Sequence, residues 1–248
     1  MTLLVHAIIR AEDGQLAGLA QHGARVVADD VVAAVVSDVA GEIDERDAAP
    51  HLELLSALAE TIPALPVSFA TVAPDDEAVR RELLRPAGEV LRRQVESVAD
   101  LIEVRLRVHF DEQTSLRAVV AEDEQLRRLS QASRAEAPGG SALLTLGEQV
   151  VTRLTDRHAS MFWALVAPVV EIADRVQVLA QDHERQAAAF LLVRGHLPDM
   201  DAAVARMREA LPANARLDYV GPLPPLAFLA DVLAETAADQ QRSSGWGW

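Results

Sequence analysis

Asp182, His183 and Glu184 form the one local cluster of metal-ligand residue types in the chain, and a divalent cation is what such residues would hold. Three adjacent side chains cannot all face one ion from a regular helix or strand, so the run reads as a solvated turn. The remaining histidines are scattered, and no His-Glu-x-x-His or His-x-x-x-His spacing occurs. His158 falls on the apolar stripe of a helix, where a hydrogen-bonded structural imidazole is expected. Asp29-Asp30 and Asp75-Asp76 could serve as acid/base pairs, but read better as a turn and a helix N-terminus. Ser68 lacks the Gly-x-Ser-x-Gly elbow of a serine hydrolase. Gly139-Gly140 lies between helical segments and follows no strand, so it reads as a linker and not a phosphate loop. No catalytic, cofactor-binding or metal-binding residue is assigned, and no cofactor is expected. Arg105, Arg107 and His109 alternate along one strand face and could dock an acidic partner. Trp246 and Trp248 could do the same for an apolar one, since Trp favours interfaces.

Composition narrows the classes further. The chain has 248 residues, 50% of them apolar, enough for one large domain or two small ones. Aromatics are only 4%, so the core must be built from Leu, Val and Ala. A net charge of −15 argues against nucleic acid, whose phosphates need clustered cations. Every positive residue is Arg, and Cys is absent, which excludes disulfides and thiolate sites. No signal peptide is read at the N-terminus, and the longest apolar stretch, residues 161–170, is too short to span a bilayer. The expectation is a cytoplasmic protein with no membrane partner.

These residues need elements to position them. Residues 3–9 read as a strand, and 24–28 with 31–36 as a hairpin turning at Asp29-Asp30. A helix follows, with Leu52, Leu55, Leu58 and Ile62 on one stripe and Pro63 and Pro66 as its stop. Residues 67–72 are expected to be a short buried strand. Pro74-Asp75-Asp76-Glu77 starts a helix with carboxylates at its positive end. From 103 to 110 the alternation is clean: Val104, Leu106, Val108 and Phe110 face inward, Glu103, Arg105, Arg107 and His109 face solvent. Helical spacing covers 112–136 and then 142–166, the second with stripe Leu143, Leu146, Val150, Leu154, Met161 and Leu165. Strand, helix and strand follow. The fold class is α+β. Expected domains are 1–111, ferredoxin-like with extra hairpin content; 112–136, a connecting helix; 142–235, a helix-rich α+β domain; and 236–248, a flexible tail.

The most distinctive stretch is Tyr219-Val-Gly-Pro-Leu-Pro-Pro-Leu-Ala-Phe228. Gly221-Pro222 should end a strand, and Pro224-Pro225 should hold the next backbone extended without donors. Together with the strand at 3–9, Leu65-Pro-Val-Ser-Phe-Ala-Thr-Val72 and Ile102-Glu-Val-Arg-Leu-Arg-Val-His-Phe110, it resembles the gas vesicle protein family of types F and L, over residues 3–233. The resemblance rests on Pro66, Phe69, Gly221, Pro222, Pro224, Pro225 and Phe228. Ser68 stands where that family has Arg, Ala70 where it has Gly, and Leu223 and Leu226 where it has Trp and Tyr, so the backbone is kept with an altered contact surface. The resemblance implies a modified ferredoxin-like N-terminal domain and a helix-rich C-terminal part. It also implies a non-enzymatic accessory or minor structural protein of the gas vesicle, binding the main gas vesicle shell protein and other gas vesicle assembly proteins.

Two other classes fit the residues alone. One is a small-molecule-binding or enzymatic protein on a ferredoxin-like α+β barrel, with His109 or His158 pointing into a cavity. The other is an interaction module unrelated to vesicles.

Overall fold

The structure, a computed structural model, describes residues 2–15, 18–135 and 141–244. It is α+β, as expected. The chain divides into two compact units that interleave in sequence: residues 1–104, 191–195 and 221–248, and residues 105–190 and 196–220. The segment from 221 onward, which the sequence groups with the C-terminal domain, thus falls in the first unit.

In the first unit β1 (Thr2–Arg10), β2 (Ala24–Ala28) and β3 (Val32–Val39) form an antiparallel sheet in the order β2-β3-β1. The Asp29-Asp30 turn joins the hairpin, with the Asp29 N–H donating to the Val32 carbonyl at 3.0 Å. α1 (Ala48–Thr61) buries His51, Leu54, Leu55, Leu58 and Ala59. Leu54, Leu55 and Leu58 share a core with Ile9, Ala33, Val35 and Leu223. Residues 67–72 are not one buried strand. β4 (Leu65–Pro66) and β5 (Val72–Ala73) both pair with β1 but leave residues 67–71 as a loop between them. Ser68, Phe69 and Ala70 are exposed there.

Asp75 caps the helical run, its side chain accepting from the Ala78 N–H at 2.8 Å. α2 (Asp76–Ala78) passes through a π turn, Val79–Leu84, into α3 (Arg85–Ser97). Pro86 explains the wide turn, because its ring would collide with the carbonyl four residues back and it has no N–H to give.

β6 (Leu101–Phe110) is followed by α4 (Glu112–Glu122) and α5 (Glu124–Ala135). The helical pattern across 112–136 breaks at Asp123, whose Oδ1 accepts from the N–H groups of Gln125 and Leu126 at 2.8 and 3.1 Å. Asp123→Ala should cost about 1 kcal/mol, visible as a lower urea midpoint, because that cap has no substitute in Ala. α6 (Ser141–Val170) carries Pro168 in its last turn without ending there. Its buried face is Leu154, His158, Phe162, Val166 and Val169, offset from the expected Met161 and Leu165 stripe. In its first half, Leu154 packs with Val119 and Leu126.

β7 (Arg175–Gln181), β8 (Arg185–Val193), α7 (Leu197–Glu209) and β9 (Ala215–Leu223) complete a four-stranded sheet in the order β7-β8-β6-β9. α8 (Leu229–Ser244) begins before the expected tail and runs into it, covering residues 236–244. Among the described residues no helix is long and apolar enough to cross a membrane.

Candidate functional site

The Gly-Pro-Leu-Pro-Pro segment does not end its strand. β9 continues through Pro222 to Leu223, with a cis Gly221-Pro222 bond. As a terminal strand of its sheet, β9 can tolerate a residue without an N–H. Pro222, Leu223, Pro224 and Pro225 are all buried, and Phe228 is 3% exposed. Leu223 and Leu226 pack on the core of α1 and the first sheet.

Glu103 holds this segment in place. The alternation put it on a solvated face, but its side chain is fully buried, and its Oε2 accepts the Ala227 N–H at 2.6 Å. A carboxylate is a strong acceptor for a buried amide that the turn cannot satisfy itself. The neighbouring turn bonds run from the Leu226 N–H to the Pro224 carbonyl at 2.6 Å and from the Phe228 N–H to the Pro225 carbonyl at 3.2 Å. Glu103→Leu should therefore cost about 2 kcal/mol by stranding the Ala227 N–H, with Glu103→Gln retaining most of the stability. Chemical denaturation of the two variants distinguishes them.

The second motif, residues 65–73, gathers several unusual features. Pro66 is buried and pairs with Ala7, while Phe69 is 38% and Val72 51% exposed. Ala70 has φ 67°, which for a residue with a Cβ is strained and which the family's Gly would relieve. Beneath the loop, β1 carries a bulge: its register with β3 shifts between Val5 and Ala7, leaving His6 as the extra residue. The His6 imidazole faces inward. Its Nδ1 lies 2.8 Å from His51 Nδ1, and its Nε2 2.8 Å from Ser37 Oγ. The two rings stack at 5.0 Å, and Phe69 lies 5.3 Å from His51. Burial pushes His6 from its ordinary 6.5 down to about 4, with the charge of His51 acting the same way. Burial also lowers His51. Neither histidine stands out in the sequence, because they are 45 residues apart and a bulge leaves no mark on a uniformly apolar strand.

Arg107 is exposed, Arg105 half-buried, and the His109 Nε2–H donates to Asp218 Oδ2 at 3.0 Å. Arg216 also reaches Asp218, at 3.3 Å, so the basic ladder runs beside an acidic residue. His109 lines a shallow open depression with Thr114, Asn214 and Arg216. His158 is closed in: Nδ1 donates to the His183 carbonyl at 2.6 Å, Nε2 accepts from Ser115 Oγ at 3.0 Å, and the ring stacks on Phe110 at 4.0 Å. Burial lowers its pKa, partly opposed by that carbonyl. This is the structural imidazole that the stripe position suggested. Asp182 makes the solvated turn, its Oδ1 accepting from Glu184 and Arg185 N–H. Among the described residues no three ligating side chains converge. Trp246 and Trp248 lie outside the described residues.

The profile of the Gas vesicle synthesis protein GvpL/GvpF family matches residues 2–230. The chain belongs to the GvpL/GvpF family. It is 31% identical over 216 residues to Gas vesicle protein F of Streptomyces sp. (strain CB03234), covering 83% of this chain and 87% of that one. It is 27% identical over 247 residues to Gas vesicle protein L2 of Halobacterium salinarum, covering 91% and 88%. The crystal structure of gas vesicle protein GvpF from Microcystis aeruginosa superposes with a TM-score of 0.70 at 18% identity, covering 92% of this chain and 98% of that one. That of GvpF from Anabaena sp. PCC7120 gives 0.68 at 19%, with the same coverage. At those identities the two structures bear on the fold, and the α+β architecture is that of GvpF.

Proposed function

We propose that this protein is an accessory or minor structural component of gas vesicles, acting in the cytoplasm on shell nucleation and assembly. It binds the main shell protein and other assembly factors and does no covalent chemistry. Family membership over residues 2–230 carries this reading. The mechanism is docking: apolar side chains and strand edges engage shell subunits and keep them from aggregating until they join the growing shell. Phe69 on its loop, Val72 at the start of β5, and Val178 and Leu179 on the terminal strand β7 are exposed apolar residues of that kind. The strand face of Arg105, Arg107 and His109 is a second proposed contact, for an acidic partner.

The test is a pull-down with the main shell protein, paired with deletion of the gene in a vesicle-forming host. Retained shell protein and defective vesicles are expected. Normal vesicles together with no binding would sink the proposal.

A further inference from the structure

The imidazoles of His6 and His51 meet Nδ1 to Nδ1 at 2.8 Å. One nitrogen must donate and the other accept, so a single proton sits between them. Two neutral rings carry two protons, and a singly charged pair carries three. A fourth would set two N–H groups head to head and two charges in a buried site, and the contact cannot survive that.

The contact sits under one loop. The His6 carbonyl accepts the Val67 N–H at 3.0 Å, and the Val5 N–H donates to the Thr71 carbonyl at 2.9 Å, so both ends of residues 67–71 are tied to β1 on either side of His6. Phe69 rests on the His51 ring. Ala70, with φ 67°, keeps the loop in a conformation it would leave if released. We propose that His6 and His51 form a proton-operated latch: the loop carrying Phe69 is held while the pair shares one proton, and it opens when both rings are charged.

Among the described residues no carboxylate acts on His6 to stabilise its charged form. From α1 the group facing His6 is His51, from β3 the Ser37 hydroxyl, and from the loop Phe69. β4 and β5 present Leu65, Pro66, Val72 and Ala73, none of which titrates. α3 also packs on β1, and its Arg92 is paired with Glu89 and Glu96. Arg25 on β2 is engaged with Asp38 and Asp76. Among the described residues the charge acting on His6 is that of His51.

Hydrogen exchange of the Val67 and Val5 amides, corrected for the intrinsic pH dependence of exchange, reads the latch directly. Protection should fall about tenfold or more between pH 7 and pH 5, as opening frees an imidazole to its ordinary pKa. The Asp29 amide in the hairpin turn should not follow it. His51→Gln should reduce the response, because only His6 is then left to take up a proton when the loop opens. If His51→Gln does not fold, His6→Gln serves in the same comparison. In the wild type the two imidazoles should titrate together with loss of amide protection. Unchanged protection in the wild type, a loss shared equally by Asp29, or a wild-type response in the Gln variant would each overturn the latch.

Discussion

Gly221→Ala should cost about 3 kcal/mol of folding stability, seen as a large drop in urea midpoint with little change in slope. Two independent terms contribute. The φ of +152° is one that L side chains rarely adopt. A Cβ would also stand 2.8 Å from Val104 Cγ1, 3.1 Å from the Glu103 carbonyl oxygen and 3.2 Å from Val104 Cα. Two of these three neighbours are backbone atoms of β6, which cannot rotate away. Val104→Ala in the same chain would remove the 2.8 Å clash alone, so it should rescue Gly221→Ala only in part. Gly195 offers a control in the same unit. A Cβ there meets nothing within 4 Å, and Gly195→Ala should stay within about 0.5 kcal/mol of wild type. Equal costs at Gly221 and Gly195 would remove the argument that close approach to β6 fixes Gly in this motif.

Much of this region was legible from residue types. Gly and Pro positions constrain backbone through rules that hold in any context, so 221–225 can be singled out from residue types alone. What the spacing could not give was what covers each face. Glu103 alternates in phase with Arg105, Arg107 and His109, yet it is buried by a segment 124 residues away. Periodicity assigns a face, and only tertiary closure decides whether that face meets water. The same limit applied to α6. Both the Met161-Leu165 row and the His158-Phe162-Val166 row hold helical spacing, and over 30 residues a straight helix drifts relative to any single stripe. Residues 67–72 failed for another reason: β-branched and aromatic residues suggested a strand, while an αL residue that is Ala in place of Gly gave no turn signal. The His6 bulge leaves no sequence signal, since residues 3–9 are all buried and no alternation exists to be broken.

Acid should unfold this protein earlier than its carboxylates alone require. His6 is held at about 4 in the folded chain against 6.5 when unfolded. Between those values the unfolded chain binds a proton that the folded one refuses, so stability rises with pH across the window. The contribution is complete above pH 6.5 and is lost as pH falls toward 4, where it levels off. Its size is about 3 kcal/mol, from 1.36 kcal/mol per pKa unit. His51 and His158 are lowered by burial as well and act in the same direction. The depressed carboxylates, among them Asp76 beside Arg25, lose their stabilising contribution only as pH falls below their ordinary range. The two sources therefore separate on the pH axis. Urea unfolding at half-unit steps from about pH 7.5 to 4 should give a free energy falling by about one proton's slope more in the wild type than in His6→Gln. The variant's Gln can still hydrogen-bond Ser37, so its value above about pH 7 should stay close enough to wild type to compare slopes. Parallel curves for the two proteins across pH 6.5 to 4 would mean that the His6 site does not exclude the proton, and the single shared proton of the pair would then have no energetic consequence.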